Sequence, residues 1–388
     1  MTEWKEYKLR ELVQTNKRSI NTYYPFEEIE YLDTGSITRG KIDSLQKYKL
    51  SEAPSRAKRL VEQNDIIYST VRPIQRHFGF IENPLSNLVV STGFTTITCE
   101  KDKLIPKFLY YLLSSDDTVE YLDILAEAST SAYPSLRPSD IENLDINLPP
   151  LPEQKAIAET LSSLDDKIDL LHRQNKTLEQ MAETLFRQWF VEEAKEDWEV
   201  RPLGKLVTVK RGGSPRPIQD YLSDTGLRWL KISDATKESS PFIFDIKEHI
   251  KEEGLNKTTL LKKGALVLSN SATPGIPKIL QVDSCIHDGW LHFPKSHFSN
   301  EFLYLLFKRI RPELLNQGNG SIFTNLKTDI LKEYPIPIAD NKSLGFFDEQ
   351  VKPIFEKLLK NSTQIITLEK MRDTLLPKLM SGEISINN

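Results

Sequence analysis

The chain contains an internal repeat in which the second half resembles the first, and this repeat limits what it can fold into. Four residues near the start recur 194 positions later: Trp4, Leu9, Leu12 and Val13 return as Trp198, Leu203, Leu206 and Val207. Phe108–Tyr110 returns at the same offset, and Leu178–Leu185 returns 190 positions later as Leu368–Leu375. A period this long predicts duplicated domains and not a solenoid. Because the sequences between these segments diverge, we interpret the chain as a duplicated binding domain whose two copies have different targets.

Length and composition indicate a globular protein of two or three domains. The chain has 388 residues, of which 39% are hydrophobic and 27% charged, both ordinary values. No apolar run approaches the roughly 18 residues of a membrane span, and the first residues lack the apolar region of a signal peptide. The two cysteines, Cys99 and Cys285, do not suggest a disulfide framework. We therefore expect a cytoplasmic location.

The distribution of charge is uneven along the chain. The formal net charge is −4 overall, made up of −4 over residues 1–152, −6 over residues 153–200 and +6 over residues 201–388. A polyanion would therefore have to bind local basic patches, because the protein has no global positive field. The acidic central segment is the part least suited to lie on phosphate.

The sequence pattern predicts an α+β multidomain protein with two mixed α/β domains and two long helices. In the first domain the clearest strands and helices are Ile29–Leu32, Asp65–Val71, Leu88–Val90, Phe94–Cys99, Pro106–Leu113 and Thr118–Leu125. A proline cluster at residues 148–152 ends this domain, because proline excludes helix and fixes an extended segment. The expected boundaries are residues 1–147 and 193–340 for the domains, and 148–192 and 341–388 for the helical segments.

A heptad seam predicts that the first helical segment is one long helix. Apolar residues alternate at spacings of four and three over four heptads, at Ile157, Leu161, Leu164, Ile168, Leu171, Asn175, Leu178, Ala182 and Leu185. Asn175 is the one polar position in this seam. It either fixes the register of the helices at a cost in stability or lies where the packing is loose.

A second long helix is predicted from about Phe347 to Met380. Its stripe is less regular and consists of Val351, Phe355, Leu358, Ile365, Leu368, Met371 and Leu375. Two long amphipathic helices in one chain can cover each other's apolar faces. We expect an antiparallel coiled coil that would place the two domains at opposite ends of a rod. Four-helix or intermolecular packing is the main alternative.

No set of residues indicates catalysis, a nucleotide site or a metal site. Gly35–Lys41 has the spacing of a phosphate-binding loop, but Ile42 follows where magnesium coordination requires Ser or Thr. His287, His292 and His297 lie five residues apart, which is not the usual spacing of zinc ligands. Hydrolase, zinc-protease and dinucleotide-binding motifs are absent. We therefore expect a non-catalytic chain without a bound metal.

Three kinds of loop carry residues suited to binding DNA. One mixes hydroxyl, amide and guanidinium groups after an apolar strand, one is basic and glycine-rich, and one combines a hydroxyl, an aromatic ring and a cation. In the first domain the candidate contacts are Arg39, Lys41, Ser69, Arg72, Gln75, Arg76, Tyr133 and Arg137. In the second they are Lys210, Arg211, Ser214, Arg216, Ser269, Asn270, Phe323, Asn325 and Lys327. Each loop alone could be ordinary solvated surface, but their recurrence in both halves favours a shared binding role.

The frame resembles the specificity (S) subunit of type I restriction-modification systems. Leu148–Ile157, with the sequence LPPLPEQKAI, looks like the entry to that family's first conserved helix, and Leu178–Phe190 looks like its exit. In the second half, Gly212–Pro215, Leu227–Asp234 and Leu266–Ser269 look like a target recognition domain. The resemblance covers nearly the whole chain. The linker that precedes the second long helix is longer than the linker that precedes the first.

The resemblance implies a division of labour between this chain and its partners. Each target recognition domain would read one half of a bipartite, gapped DNA site, and the coiled coil would set the spacer between the halves. Two methyltransferase (M) subunits would dock on the conserved helices, carry S-adenosylmethionine and methylate adenine at N6. Restriction (R) subunits would add cleavage driven by ATP with magnesium. This chain itself would hold no cofactor.

Two other functions remain open from the sequence. A scaffold with two ligand-binding heads would show no salt-dependent duplex binding, whereas phosphate contacts make affinity fall steeply with salt. A nuclease would turn over DNA with magnesium alone. Arg187, Gln188 and Trp189 at the end of the first helix are candidates for partner docking. Trp189 could equally pack against one of the domains.

Overall fold

The protein divides into two compact units that share both long helices. The computed structural model describes residues 4–129, 133–237, 240–316 and 325–386. One unit comprises Met1–Ile168 with Thr367–Asn388, and the other comprises Asp169–Ile366. Each long helix therefore contributes one part to the first unit and the other part to the second.

The first unit contains two four-stranded sheets, a short terminal ribbon and a two-stranded hairpin. Its strands are β1 (Lys5–Lys8), β2 (Val13–Thr15), β3 (Glu28–Leu32), β4 (Ile37–Thr38), β5 (Lys41–Ile42), β6 (Gln46–Lys49), β7 (Ala57–Leu60), β8 (Asp65–Ser69), β9 (Phe78–Ile81), β10 (Leu88–Ser91), β11 (Phe94–Cys99) and β12 (Asp145–Leu148). The sheet orders are β6-β3-β10-β7 and β2-β11-β8-β9. The four predicted strands are confirmed, although the one beginning at Asp65 ends at Ser69, two residues earlier than expected.

The second unit repeats the two main sheets with five strands in each, and it repeats the terminal ribbon. Its strands are β13 (Val200–Pro202), β14 (Val207–Arg211), β15 (Leu222–Ser223), β16 (Leu227–Leu230), β17 (Phe242–Ile243), β18 (His249–Ile250), β19 (Thr259–Leu261), β20 (Leu266–Ser269), β21 (Pro277–Leu280), β22 (Ser284–Ile286), β23 (Trp290–Ser296) and β24 (Pro335–Pro337). The orders are β15-β18-β16-β22-β19 and β14-β23-β20-β21-β17. The parallel pair β3–β10 has its equivalent in β16–β22, and the ribbon β1–β12 in β13–β24. The internal repeat is thus confirmed at the level of strand pairing.

The helices are α1 (Pro106–Ser114), α2 (Asp116–Glu127), α3 (Pro138–Glu142), α4 (Leu151–Arg187), α5 (Leu203–Leu206), α6 (Ile232–Thr236), α7 (Asn300–Asn316), α8 (Thr328–Glu333) and α9 (Asn341–Met380). The long helices α4 and α9 have 37 and 40 residues, about 55 and 60 Å at 1.5 Å per residue. Within the described residues, none of the helices combines the length and the apolarity needed to cross a bilayer.

A buried glutamine fixes the start of α4 against the first domain. The Gln154 amide oxygen accepts a hydrogen bond from the backbone N–H of Ile105 at 2.9 Å. The amide nitrogen donates to the carbonyl oxygens of Pro149 at 2.9 Å and Lys103 at 3.2 Å. Three backbone groups would lack these partners without the amide, which explains why a glutamine follows the proline cluster in a buried position.

The second long helix begins at Asn341, earlier than the expected position near Phe347. Asp340 caps it, because its carboxylate accepts hydrogen bonds from the Ser343 backbone N–H at 2.9 Å and from the Ser343 hydroxyl at 3.0 Å. Pro353 therefore lies inside α9 and not near its start. It lies on the exposed side of the helix, where water can solvate the backbone carbonyl that proline leaves unpaired.

In the first unit, α4 and α9 pack on each other and on the first domain through an apolar seam and an ion pair. Ile157 and Leu161 belong to the same buried cluster as Leu379. Asp165 Oδ1 accepts from Arg372 Nη1 at 3.0 Å. Asp165 Oδ2 accepts from the hydroxyl of the buried Tyr111 at 2.7 Å. Burial lowers the pKa of Arg372, but its hydrogen bonds to Asp165 and Asp373 outweigh this effect and raise the pKa above its ordinary value.

The prediction that Met371 lies in the seam is wrong. Its side chain is exposed, and Arg372 is the more buried of the two. The remaining seam positions fall into two groups. The buried ones are Ile157, Leu161, Ile168, Leu171, Ala182, Val351, Phe355, Leu358 and Ile365. The half-buried ones are Leu164, Asn175, Leu178, Leu185, Leu368 and Leu375.

In the second unit, α4 and α9 run antiparallel and share a polar layer. Asn361 is fully buried and donates from Nδ2 to Asn175 Oδ1 at 2.9 Å. Asn175 in turn donates to the Ser362 hydroxyl at 3.2 Å. These bonds favour the register-fixing interpretation of Asn175 over loose packing, because directional bonds are satisfied in one register only.

An aromatic cluster joins both helices to the second domain. The Phe347 ring on α9 lies 4.8 Å from that of Phe190 and 5.9 Å from that of Phe302 on α7. Trp189 is half-buried and packs on Phe347 with the ring centroids 6.1 Å apart. Of the two interpretations left open for Trp189, the structure therefore favours packing against the domain.

Candidate nucleic-acid interface

Two of the loops singled out in the sequence meet in the first unit. We name residues 69–76, which begin at the last residue of β8, the strand-end loop, and residues 133–137 the return loop. Val71 forms an isolated antiparallel bridge with Ser135. The backbone N–H of Leu136 donates to the carbonyl of Thr70 at 2.7 Å. These contacts bring segments about 60 positions apart in sequence to one surface.

The second unit joins the equivalent loops by an equivalent bridge. Here the strand-end loop is residues 269–275, after β20, and the return loop is residues 325–327. Ser271 bridges Asn325, and the backbone N–H of Leu326 donates to the carbonyl of Asn270 at 2.7 Å. The same pair of loops is therefore assembled in the same way in both units, although their side chains differ.

The strand-end loop of the first unit is held in a strained conformation. Arg72 and Arg76 have positive φ angles of 47° and 58°, a conformation uncommon for residues other than glycine. Arg76 forms an ion pair with Asp116 at 2.8 Å. The backbone N–H of Ile74 donates to Asp123 Oδ1 at 3.1 Å. Strain of this kind persists only where surrounding contacts impose it, and it is common at functional sites.

A β-hairpin lies beside this loop where the sequence has the spacing of a phosphate-binding loop. Strands β4 and β5 pair across a turn at Arg39 and Gly40, and the backbone N–H of Arg39 donates to the carbonyl of Arg76 at 2.8 Å. A Cβ atom at Gly40 would lie 2.5 Å from the Tyr110 hydroxyl oxygen. A nucleotide-binding loop of this type runs from a strand into a helix. The hairpin therefore excludes that interpretation and presents Arg39 and Lys41 beside the strand-end loop.

The basic loop of the second unit, residues 210–216, is tightly packed at its two glycines. A Cβ atom at Gly212 would lie 2.3 Å from the carbonyl oxygen of His287, and one at Gly213 would lie 2.7 Å from that of Lys257. The two glycines therefore allow close approach of the protein's own backbone. This loop follows β14, whose equivalent is β2, whereas Gly35–Lys41 follows β3. The two segments are consequently not equivalent positions of the repeat.

Asp288 organises the basic loop and was not predicted from the sequence. Its carboxylate accepts from the Ser214 hydroxyl at 2.7 Å and from Arg216 Nη2 at 3.2 Å. Its carbonyl oxygen accepts from Arg211 Nε at 2.6 Å. The hydrogen bond from Ser214 and the charge of Arg216 lower the pKa of Asp288, although partial burial opposes them. No sequence motif includes Asp288, because it lies far from the basic loop in the sequence and is brought to it by the fold.

Three predicted contact residues are buried, and the prediction that they face DNA is corrected for them. The Ser69 hydroxyl accepts from the Val71 backbone N–H at 3.2 Å, inside the strand-end loop. The Ser269 hydroxyl accepts from the Ile276 backbone N–H at 2.8 Å. The side-chain amide of Asn270 lies 2.9 Å from Arg211 Nη2. These side chains shape the loops and position Arg211, because their polar atoms are used inside the protein.

Most of the other candidates are accessible, each on the surface of its own unit. The exposed ones are Arg39, Lys41, Arg72, Gln75, Tyr133, Arg137, Lys210, Arg211, Arg216, Asn325 and Lys327. Ser214 and Arg76 are half-buried. Phe323 lies outside the residues that the structure describes. The accessible set combines cations for phosphates with amides and guanidinium groups that can read base edges.

The second unit contains two histidines in partly desolvated positions. His287 accepts a hydrogen bond at Nδ1 from the Gly289 backbone N–H at 2.8 Å. His292 lies in β23 opposite Lys210. Burial lowers the pKa of both, and Lys210 lowers that of His292 further. Over residues 4–129, 133–237, 240–316 and 325–386, no three His, Cys, Asp or Glu side chains are grouped so as to hold a metal ion.

We expect the second unit to lose stability as the pH falls from 7.5 to 5.5. A group with a folded-state pKa below its unfolded value of about 6.5 binds its proton more tightly in the unfolded chain. The stabilisation is thus present above that value and is lost below it. Thermal unfolding followed at both pH values should show a smaller decrease in Tm for His292→Gln than for the unmodified chain. An equal decrease in both would show that His292 does not contribute.

Comparison with known proteins identifies the family. Residues 1–180 and 195–371 match the family of type I restriction modification DNA specificity domains. The chain belongs to this family. The two matched segments correspond to the two halves of the internal repeat, and each contains one pair of strand-end and return loops. The chain is thus a type I specificity subunit with a role in DNA recognition.

Known specificity subunits are similar to this chain over most of its length. The type I restriction enzyme HindI specificity subunit of Haemophilus influenzae is 25% identical over 99% of this chain and 100% of its own length. The MjaIX specificity subunit of Methanocaldococcus jannaschii is 27% identical over 84% of this chain and 79% of its own length. The crystal structure of a type I S subunit from M. genitalium has a TM-score of 0.65 at 17% identity, covering 97% of this chain and 96% of that one. This structural likeness supports the fold.

Proposed function

We propose that each recognition domain of this specificity subunit reads one half of a bipartite, gapped DNA site. The observation that carries this proposal is the repeated bridge between strand-end and return loops, Val71 with Ser135 and Ser271 with Asn325. Each bridge assembles a surface from loops with different side chains. Two domains with the same backbone arrangement but different loop side chains are suited to reading two different half-sites.

The two long helices are proposed to set the spacer between the half-sites. Both helices are continuous and are shared by the two units. An α-helix has a fixed rise of about 1.5 Å per residue, so the number of residues between the domains would define a length. The layer formed by Asn175 and Asn361 supports this role, because it ties α4 and α9 to one register.

The chemistry is proposed to reside on partner subunits. Two M subunits would bind S-adenosylmethionine and methylate an adenine at N6 in each half-site. R subunits would use ATP and magnesium for cleavage of unmodified DNA. In this scheme the specificity subunit is not catalytic. It contributes sequence discrimination, at about 1–3 kcal/mol for each good bidentate contact with a base.

The decisive test is to co-express this chain with the M subunit of its own host and to map N6-methyladenine by single-molecule sequencing. Methylation confined to one gapped, two-part motif would support the proposal and would define both half-sites and the spacer. A complex that assembles and binds S-adenosylmethionine but methylates no such motif would contradict it. A scaffold would also show no salt-dependent duplex binding, and a nuclease would cleave with magnesium alone.

We expect Gln75→Ala to relax sequence discrimination at one base pair. Gln75 is exposed in the strand-end loop, and a glutamine amide can form a bidentate contact with adenine. Its loss should reduce discrimination at that position by about 1–3 kcal/mol, roughly 5- to 150-fold in relative methylation rate. The rates are measured on duplexes that differ at single positions of the first half-site.

Lys41→Ala is the matched control for this experiment. Lys41 lies in the neighbouring hairpin and is also exposed, but an ammonium group there is suited to a phosphate. Its removal should weaken binding to all sequences alike and reduce the salt dependence by about one phosphate contact. If Gln75→Ala discriminated between sequences as well as the unsubstituted chain does, Gln75 would not be a base-reading residue.

A further inference from the structure

An isoleucine lies exposed in the middle of the strand-end loop of the first domain. Ile74 is 50% exposed. Arg72 and Gln75 beside it are exposed too, whereas Pro73 is buried. A single exposed apolar residue needs no explanation. Ile74 differs because it lies among the side chains that are suited to contact base edges.

The loop holds Ile74 in place, so the exposure does not result from a freely moving chain. The Ile74 backbone N–H donates to Asp123 Oδ1 at 3.1 Å. The backbone N–H of Arg76 donates to the carbonyl of Pro73 at 2.8 Å, which closes a turn around Ile74. With positive φ angles at Arg72 and Arg76, this geometry favours a fixed contact over adaptable surface packing.

Charges next to the loop indicate which part of a duplex can approach Ile74. Helix α2 supports the loop and has exposed carboxylates that would repel phosphate, at Asp117 and Glu120. Phosphates are instead expected at the neighbouring hairpin, where Arg39 and Lys41 are exposed. Base edges carry no net charge. In the major groove, the 5-methyl group of thymine is the apolar feature that a branched aliphatic side chain can contact.

We propose that Ile74 recognises the 5-methyl group of a thymine in the half-site read by the first domain. This inference rests on the proposed function. The second domain has no counterpart, because its strand-end loop, residues 269–275, contains no branched aliphatic side chain. Ile74 thus accounts for part of the difference between the two half-sites.

Thymine-to-deoxyuridine substitution tests the contact, because it removes only the methyl group. The unmodified chain in its complex with M subunits is compared with the Ile74→Ala complex on duplexes carrying deoxyuridine at each thymine of the first half-site in turn. At one position, deoxyuridine should lower the methylation rate of the complex that contains the unsubstituted chain by about fourfold relative to thymine. This is the effect of losing one buried methyl group. With Ile74→Ala, the thymine and deoxyuridine duplexes should react equally at that position.

Ile124→Ala provides the control, because Ile124 is 66% exposed on α2 outside the loop and should leave the thymine preference unchanged. Equal rates on thymine and deoxyuridine duplexes at every thymine of the first half-site, or equal methyl sensitivity in both complexes, would overturn the inference. So would weaker assembly with M subunits in both variants, which would make this face a protein-docking surface. Failure of the proposed function itself is distinguishable, since the unmodified complex would then methylate no gapped motif.

Discussion

Replacing Phe347 with alanine is expected to destabilise the second unit by about 3–5 kcal/mol, the usual cost of truncating a buried phenylalanine. Phe347 is fully buried, and its ring packs against Phe186 from α4 and Phe302 from α7. The side chain thus joins both long helices to the recognition domain. Its loss leaves a cavity that three separate elements would have to close together. Chemical denaturation of the full chain measures the change in unfolding free energy.

Phe346→Ala is the matched control for this prediction. Phe346 precedes Phe347 in the same helix but is 49% exposed, so truncating it should change the unfolding free energy by less than about 1 kcal/mol. Equal effects of the two substitutions would show that the aromatic cluster does not hold the helices. Because a cavity affects packing and not charge, the difference between the variants should persist at high salt.

The regular elements could be predicted because their patterns are local. The heptad spacing that begins at Ile157 needs only the sequence, and it predicted a long helix that the structure shows as Leu151–Arg187. The less regular stripe of α9 led to an error, because Met371 is apolar and Arg372 is charged. Arg372 is nevertheless the more buried residue, since its guanidinium group pairs with Asp165. That partner lies about 200 positions away and is not visible in a local pattern.

The candidate site was predictable as a set of loops but not as a set of side-chain orientations. Repetition of the loops in both halves marked residues 69–76 and 269–275, and the structure joins each to its return loop. The sequence could not show that the Ser69 and Ser269 hydroxyls are used inside the loops. It also could not show that Asp288 organises the basic loop. Such assignments depend on which polar atoms find partners after folding.

Lengthening both helices by three heptads is expected to move methylation to sites with a longer spacer. Twenty-one residues add about 31 Å to a helix, or roughly nine base pairs of DNA at 3.4 Å per pair. This is close to one turn of the duplex, so the two half-sites would again face the same side. Whole heptads preserve the apolar seam. The insertions belong in matching places in the two helices, next to Asn175 in α4 and Asn361 in α9, so that the polar layer is retained.

Insertion of a single heptad in each helix separates length from rotational phase. It adds about 10 Å, or roughly three base pairs, and would turn one half-site by nearly a third of a turn relative to the other. If the helices set the spacer, this variant should methylate neither the original site nor a longer one efficiently, while the three-heptad variant regains activity on its longer site. Sequencing of N6-methyladenine from cells expressing each variant with the M subunit gives the spacer directly. Retention of the original spacer by either variant would show that DNA or partner subunits, and not the helices, define the distance.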